Sequence, residues 1–262
     1  MHFIGYLAAV VVGILLGLTG GGGSVLTVPV LVYLFNVSPV TATSYSLFIV
    51  GTTSFVGAIK NSQTKNIDIQ TALLFGTPAI SIILCIRQYL LPAIPEHIGS
   101  FYQVEITKPF ITMILLAVLL LCTSKFVLNK NYDFQLPIQP SLFKLLFIGM
   151  LAGLIIGMLG VGGGLLITPS LITIVRLPMK KAIGTSLLII SISSISGFIG
   201  DPLHKDINWF ILFTITVLSV IGFFIGNSIS SRISGTFLKK AFGWFLFILG
   251  GSILVKEVLS RF

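Results

Sequence analysis

The sequence predicts an all-helical integral membrane protein made of two similar halves. Three observations carry this prediction: long charge-free apolar runs, a residue pattern that occurs twice, and a glycine-rich interruption at the same place in both copies. Only 9% of the residues are charged, whereas an ordinary soluble domain has about 25%. The mean hydropathy of +1.08 agrees with the membrane class.

The apolar runs are long enough to cross a bilayer. The first covers residues 1–59, which contain no Asp, Glu, Lys or Arg. Further charge-free runs cover residues 69–86, 109–124, 145–175, 182–200, 207–231 and 241–255. About 20 apolar residues in a helix span a hydrocarbon core of about 30 Å. The chain is therefore predicted to be a multi-pass protein of the prokaryotic inner membrane, that is, the cell membrane.

The basic residues, cysteines and histidines indicate neither a nucleic-acid-binding surface nor a metal site. The net charge is +9, but Lys and Arg stand singly or in pairs between apolar runs, as loop residues do. A nucleic-acid partner would need a charge cluster on a soluble domain. Cys85 and Cys122 lie inside apolar runs and are expected to be packed free thiols. His2, His97 and His204 share no ligand spacing, so neither a metal nor a cofactor is expected.

The two halves match at an offset of 140 residues, without a gap from residues 13–61 to residues 153–201. The identical pairs include Gly13/Gly153, Gly17/Gly157, Gly20/Gly160, Gly22/Gly162, Gly23/Gly163, Pro29/Pro169, Ala42/Ala182, Ser46/Ser186, Leu47/Leu187, Ser54/Ser194 and Gly57/Gly197. Apolar bias alone would match leucine with leucine, but it would not place glycines, a proline and serines in one register. The pattern indicates an internal repeat.

Each half contains an interrupted segment followed by three helices. The predicted boundaries are 3–35, 40–60, 67–91 and 107–128, then 142–175, 180–200, 207–231 and 236–259. The result is one membrane domain, with residues 1–128 as the first repeat half, 129–141 as the linker and 142–262 as the second half. Residues 92–108 form a longer loop that only the first half contains.

The interrupted segment determines the topology. Residues 3–35 as one helix would be about 50 Å long, which is too long for a single span. Four consecutive glycines at positions 20–23 each disfavour helix by about 1 kcal/mol, so two half-helices that meet at a glycine turn fit better. If the pair enters and leaves on one side, the halves are inverted. If it crosses as one broken span, the halves are parallel.

The positions of Lys and Arg favour the inverted arrangement. It collects 11 basic residues on one side: Lys60, Lys65, Lys125, Lys130, Lys144, Arg176, Lys180, Lys181, Arg232, Lys239 and Lys240. The other side keeps 5, which are Arg87, Lys108, Lys205, Lys256 and Arg261. The parallel arrangement divides them 8 to 8. We therefore predict inverted repeats, each with a glycine-broken half-helix hairpin plus three transmembrane helices, and both termini outside the cytoplasm. Paired short spans would give the same parity as a re-entrant hairpin.

The glycine interruptions form the predicted substrate site, because helices broken at matching positions of inverted repeats point to a transporter's binding site. Free N–H groups and the positive end of the following half-helix suit an anion. The predicted residues are Thr19, Gly20, Gly21, Gly22, Gly23, Ser24, Gly160, Gly162, Gly163 and Gly164. The alternative is that glycines only allow close helix crossing. That interpretation suits the outer glycines Gly13, Gly17, Gly153 and Gly157.

Hydroxyl residues begin the next helix of each half and add donors for an oxyanion. Ser44 and Ser46 of the first half, with Thr185 and Ser186 of the second, are assigned to the site. The alternative is that these hydroxyls bond back to their own helix. Arg87, near the end of an apolar run, either holds the anion or snorkels to the headgroups, and its position favours snorkelling.

Other kinds of function lack the residues they need. Residues 160–164 loosely suggest a nucleotide loop, but no Lys-Ser/Thr pair follows them. An intramembrane protease would need a Ser–His pair or two mid-span aspartates. Lys60, Asp68 and Asp201 lie at predicted helix ends and offer little for ion coupling, and no acid lies mid-span to carry a proton relay.

The doubled motif resembles that of the sulfite exporter TauE/SafE family, the group that is also known for toluenesulfonate uptake permeases. The resemblance is carried by residues 17–29 (GLTGGGGSVLTVP), 157–169 (GMLGVGGGLLITP) and 182–187 (AIGTSL), and it extends over residues 13–258. Tyr45 interrupts the usual hydroxyl pattern, and the insertion at residues 92–108 is not general in the family.

This resemblance implies a membrane carrier for sulfur-containing or organic anions such as sulfite, thiosulfate or sulfonates, and not an enzyme. We predict that the chain moves such an anion across the lipid bilayer by alternating access. An anion channel on the same scaffold and a non-transporting membrane sensor or scaffold are the alternatives. The direction of transport, a coupling ion (proton or sodium) and the oligomeric state stay open.

Overall fold

The computed structural model describes residues 2–95, 97–101, 104–129, 142–202, 207–230 and 235–259. The helices in these ranges are α1 His2–Thr19, α2 Thr27–Phe35, α3 Pro39–Gln63, α4 Ile69–Cys85, α5 Leu91–Ala93, α6 Lys108–Asn129, α7 Leu142–Leu159, α8 Gly164–Thr173, α9 Met179–Ile199, α10 Trp209–Ser230 and α11 Gly235–Leu259. A 3-10 turn at Gly22–Leu26 precedes α2, and a π-helical turn at Ile86–Leu90 continues α4. The predicted helical class is confirmed.

The insertion in the first half differs from its prediction. Residues 92–108, expected to form a loop, contain two short antiparallel strands, β1 His97–Phe101 and β2 Val104–Thr107. The strands end where Lys108 begins α6. A hairpin pairs the backbone N–H and C=O groups of the insertion, which a bare loop would leave to solvent.

Local sequence signals set the beginnings of two central helices. Ser38 caps α3, because its hydroxyl accepts a hydrogen bond from the Thr41 N–H at 3.3 Å, and Pro39 occupies the first turn. Asp68 caps α4 in the same way, since its carboxylate accepts from the Thr71 N–H at 2.9 Å. Both helices therefore start within about two residues of the predicted positions.

Within the described ranges, seven helices are long and apolar enough to cross a membrane. They are α3, α4 with its continuation to Ala93, α6, α7, α9, α10 and α11. The two halves of the first interrupted segment are shorter apolar helices. The interruptions themselves lie where they were predicted, between α1 and the 3-10 turn and between α7 and α8. The inverted orientation and the re-entrant hairpins stay predictions.

The chain divides into two compact units. The first contains residues 1–91 and 134–230, and the second contains residues 92–133 and 231–262. In the second unit α6 packs along α11, and the Ser124 hydroxyl donates to the Gly243 carbonyl at 2.8 Å. The predicted division at a linker stays a prediction, because residues 130–141 lie outside the described residues.

In the first unit, equivalent helices of the two halves exchange partners. Helix α1 packs along α10, and its repeat counterpart α7 packs along α4, which is the counterpart of α10. Helix α3 packs along its own counterpart α9. Each half therefore packs the first helix of its interrupted segment against the second of the three helices that follow this segment in the other half. Both halves contribute to the first unit.

The outer glycines allow these helices to approach closely. A Cβ placed on Gly13 would lie 2.9 Å from the Ser219 Cα, and one on Gly153 would lie 2.9 Å from the Ala79 Cα. These distances are below ordinary van der Waals contact, so no side chain fits at either crossing. The interpretation of the outer glycines as helix-crossing residues is confirmed for this pair.

Candidate functional site

The two glycine interruptions meet inside the first unit. We call residues 20–23 the first glycine loop and residues 160–164 the second glycine loop. A Cβ placed on Gly21 would lie 2.7 Å from the Gly164 Cα, and one on Gly162 would lie 3.2 Å from the Ser24 Cβ. Every residue of both loops is buried. The two backbones can be this close because glycine has no side chain, so the structure brings the predicted loop residues together.

Each glycine loop contacts the hydroxyl-containing helix of the other half. A Cβ on Gly160 would lie 2.6 Å from the Thr43 Cβ on α3. A Cβ on Gly20 would lie 2.6 Å from the Ile183 Cγ2 on α9. Thr43 and Ile183 are separated by the repeat offset of 140, as the two glycines are. The halves therefore dock their loops in the same way, although the side chains that receive them differ.

One face of α3 is directed at the second glycine loop. Thr43 and Val50 both contact this loop. Ser46 lies between them, three residues after one and four before the other, and therefore on the same helix face. The hydroxyls of Ser46 and Ser24 are buried and have no hydrogen-bond partner in the part of the chain that the structure describes. Buried polar groups are nearly always paired, so both hydroxyls are candidate donors to a bound anion.

The first glycine loop is held by hydroxyls of the second half. The Ser186 hydroxyl donates to the Gly20 carbonyl at 2.8 Å, and the Thr168 hydroxyl donates to the same oxygen at 2.9 Å. Ser186 therefore satisfies backbone, which is the alternative stated for the hydroxyl residues. Thr19 does the same, since its hydroxyl donates to the Leu15 carbonyl at 2.7 Å. Backbone contacts of this kind fix the loop rather than offer donors to a ligand.

Arg87 lies on the π-helical turn and is fully buried. Its Nη1 forms a 2.7 Å ion pair with Oδ2 of Asp201 and donates to the Thr43 hydroxyl at 3.1 Å. The Ser44 hydroxyl donates to the same Asp201 oxygen at 2.5 Å. Because Thr43 also contacts Gly160, the ion pair lies beside the second glycine loop. The prediction that Arg87 snorkels to the headgroups is wrong, since a buried carboxylate holds its guanidinium inside the protein.

Two further residues that the sequence analysis considered make contacts within the fold. Thr185 accepts a 2.9 Å hydrogen bond from the backbone N–H of Asp68, and so connects α9 to the start of α4. The Lys60 ammonium lies 5.3 Å from the centre of the Phe224 ring, within cation–π range. In the described residues, no group of three or more His, Cys, Asp or Glu side chains could hold a metal.

Sequence reasoning missed three contributors to the site. Asp201 was regarded only as a helix-end acid, yet it is buried at 3% exposure. Thr43 directly precedes the predicted residue Ser44, but nothing in the sequence indicated its contact with Gly160. Thr168 has no hydroxyl counterpart, because Val28 stands at the equivalent position. A buried pairing between residues 114 positions apart leaves no local pattern in a single sequence.

Comparison with known proteins gives one family. The family model described as Sulfite exporter TauE/SafE matches residues 5–253. A probable membrane transporter protein of Xylella fastidiosa is 26% identical over 235 residues, which cover 88% of this chain and 87% of the relative. The probable membrane transporter protein YdhB of Bacillus subtilis is 23% identical over 244 residues, 90% of this chain and 93% of the relative. No solved structure matches the chain.

The family match includes both glycine loops and the ion pair, because all of these residues lie within residues 5–253. The similar proteins carry names of membrane transporters, and the family is a transporter family rather than an enzyme family. The predictions of the family and of a multi-pass membrane location are therefore confirmed. The chain belongs to the sulfite exporter TauE/SafE family of membrane transporters.

Proposed function

We propose that this transporter moves small sulfur oxyanions or organosulfonates, of the sulfite, thiosulfate and sulfonate class, by alternating access. The substrate class is supported by the family's description. The alternating mechanism is supported by the packing of helices from each half against helices of the other, because two similar halves packed in this way can rock about a shared centre. We further propose that the halves are inverted, as the distribution of Lys and Arg favours.

The observation that carries the proposed site is the meeting of the two glycine loops. The second loop ends where α8 begins at Gly164, and the first N–H groups of a helix have no partner within it. These N–H groups carry the positive end of the helix dipole and suit an anion. Ser24 adjoins Gly162 of this loop, and Ser46 lies on the face of α3 that contacts the loop; neither hydroxyl has a partner in the described residues. Backbone N–H groups and hydroxyls together can bind an oxyanion through hydrogen bonds, so a charged side chain is not needed at each oxygen.

The full proposed binding set comprises both loops and the nearby polar side chains. It consists of Thr19, Gly20, Gly21, Gly22, Gly23, Ser24, Ser44, Ser46, Arg87, Gly160, Gly162, Gly163, Gly164, Thr185 and Ser186. Within it, Thr19, Thr185 and Ser186 act by holding backbone, as their hydrogen bonds indicate. The other members are the glycines of the two loops, the hydroxyls of Ser24 and Ser46, and Ser44 with Arg87 at the ion pair.

Counterflow in proteoliposomes tests the substrate class. Vesicles that contain the purified protein are preloaded with sulfite, thiosulfate or methanesulfonate, and entry of the labelled ion is followed. We expect accelerated and saturable exchange for at least one sulfur anion and none for chloride. Current without countersubstrate would indicate a channel. If protein that elutes from a size-exclusion column as a folded protein exchanged none of the sulfur anions, the proposed substrate class would be wrong.

A double substitution tests the position of the site. We expect Gly22→Val with Gly163→Val to abolish exchange, because Gly163 has φ +73 and its Cβ would lie 2.6 Å from the Ile156 Cγ1. Gly76→Ala is the matched control, since a Cβ there would meet nothing within 4 Å. Exchange at the wild-type rate by the folded double variant would remove the loops from the mechanism.

A further inference from the structure

The guanidinium of Arg87 is held by one of its nitrogens, and its other two nitrogens are unpaired. Nη1 contacts Asp201 and Thr43, and it lies 3.4 Å from the Ser44 hydroxyl. Nε and Nη2 are buried and have no hydrogen-bond partner in the part of the chain that the structure describes. Leaving charged donors buried and unpaired is strongly unfavourable, so this arrangement needs an explanation beyond the ion pair.

The two unpaired nitrogens share one edge of the guanidinium. Their N–H groups point the same way in a rigid planar fork, which matches two oxygens of one oxoanion. A halide is a single atom and can accept both bonds only with each N–H bent away from a straight line, so two oxygens of one anion fit this geometry better. The plane of the fork is fixed from its far side, because Asp201, Thr43 and Ser44 all contact Nη1. The charge beside the second glycine loop is therefore already oriented.

The repeat-equivalent positions argue against a purely structural role for the ion pair, which joins Arg87 of the first half to Asp201 of the second. At the repeat offset of 140, Asn61 corresponds to Asp201 and Asn227 corresponds to Arg87. Helix α3 packs against α10 although both of these positions hold neutral amides. Helix α10 stays α-helical through Asn227, whereas α4 widens into a π-helical turn at Arg87. Such turns are frequent at functional sites. The charges and the π-helical turn therefore occur at only one of the two repeat-equivalent pairs of positions, which is expected of a ligand contact rather than of the scaffold.

We propose that the Nε/Nη2 edge of Arg87 binds two oxygens of the transported oxoanion, and that Asp201 is the positioning residue that aims this edge. The inference rests on the proposed function and deepens it, because it names the charged contact and the basis of selectivity. Arg87 is 0% exposed, so its guanidinium does not reach a lipid headgroup at the protein surface. The site selects anions with two oxygens on one centre against halides.

Competition with unmodified protein gives the first test. Binding of labelled sulfite to purified wild-type protein in detergent is measured against unlabelled sulfite, methanesulfonate and bromide. We expect methanesulfonate to displace sulfite, and bromide to fail at concentrations at least tenfold higher. Equal competition by bromide would overturn the proposal. This test needs no variant, so it decides the question even if every substitution impairs folding.

Substitutions at the ion pair give the second test. Arg87→Lys keeps the charge but has no two-nitrogen edge, and we expect about 10- to 100-fold weaker sulfite binding with little change for bromide. Asp201→Asn keeps Arg87 but removes the carboxylate charge that orients its guanidinium. We expect the ratio of sulfite to bromide affinity to fall. Arg87→Asn with Asp201→Asn copies the amides of the repeat-equivalent positions 227 and 61, so this variant should fold and lose sulfite binding. Asn227→Ala is the matched control and should bind as wild type.

The outcomes separate this inference from the proposed function. If wild-type protein exchanges no sulfur oxyanion, the proposed function fails. If wild-type protein exchanges one, and folded Arg87→Lys protein keeps its affinity and its selectivity, the proposed function stands and the Arg87 contact is refuted. A structural role for Asp201 alone would lower stability without changing the sulfite-to-bromide ratio, and that result would refute its positioning role.

Discussion

Gly21→Ala tests the contact between the two glycine loops. Gly21 has φ +131, a conformation that L residues rarely adopt, and its added Cβ would lie 2.7 Å from the Gly164 Cα. The backbone strain contributes about 1–3 kcal/mol, and forcing apart a packed contact contributes about another 1–3 kcal/mol. The expected destabilisation is therefore about 2–6 kcal/mol. Because the Cβ is fixed by the backbone and the Gly164 Cα is a backbone atom, no side-chain rotation relieves this contact.

Thermal unfolding in detergent measures this effect. Trp209 packs on Phe48 and Phe213 within the first unit, so its fluorescence reports unfolding of the unit that contains the loops. For a chain of this size, 1 kcal/mol corresponds to about 2–4 °C, so we expect the midpoint to fall by about 10 °C. Gly76→Ala should leave the midpoint unchanged or raise it, because Gly76 lies in the middle of α4 and an added Cβ would meet no atom within 4 Å. A Gly21→Ala protein as stable as wild type would refute the loop contact.

Three further stability predictions use the same assay. Thr168→Val removes one of two hydroxyls that bond the Gly20 carbonyl, and should cost about 1 kcal/mol; an unchanged midpoint would show that Ser186 alone suffices. Asp68→Ala removes the cap of α4 and should cost about 1 kcal/mol, whereas Asp68→Asn should cost less. Gly226→Ala, with its Cβ 2.9 Å from the Ile14 Cα, should lower stability by about 1–3 kcal/mol. An unchanged midpoint would contradict the close crossing of α1 and α10 at this position.

The helices and their interruptions were predictable because their signals are local. Charge-free runs mark the spans, and a run of glycines weakens a helix wherever it falls. The repeat at an offset of 140 added the information that both interruptions are equivalent, which made a common site a reasonable expectation. The beginnings of α3 and α4 also follow from adjacent residues, since Ser38 and Asp68 cap helices that start immediately after them.

The ion pair was not predictable because each partner gives a misleading local signal. Arg87 lies near the end of an apolar run, where a long basic side chain ordinarily reaches the membrane surface. Asp201 lies just after a predicted helix and looks like a loop acid. Only the packing of α4 against α9 brings the two together. Asn61, which is equivalent to Asp201, gave no warning either, because a carboxylate and an amide align equally well in a repeat.

The roles of individual hydroxyls also needed coordinates. Ser46 and Ser186 are identical partners in the repeat, yet Ser186 bonds the Gly20 carbonyl while Ser46 has no partner in the described residues. The difference arises from the surroundings and not from the residues themselves. A repeat predicts equivalent positions, but it does not predict equivalent chemistry.

A structure with bound selenite tests the central claim most directly, because selenite has the shape and charge of sulfite and its selenium can be located by anomalous scattering. We expect one selenium site between the second glycine loop and Arg87, with oxygens within hydrogen-bond distance of Nε, Nη2 and the Ser46 hydroxyl. A selenium site elsewhere in the protein, with these groups unengaged and exchange activity intact, would contradict it.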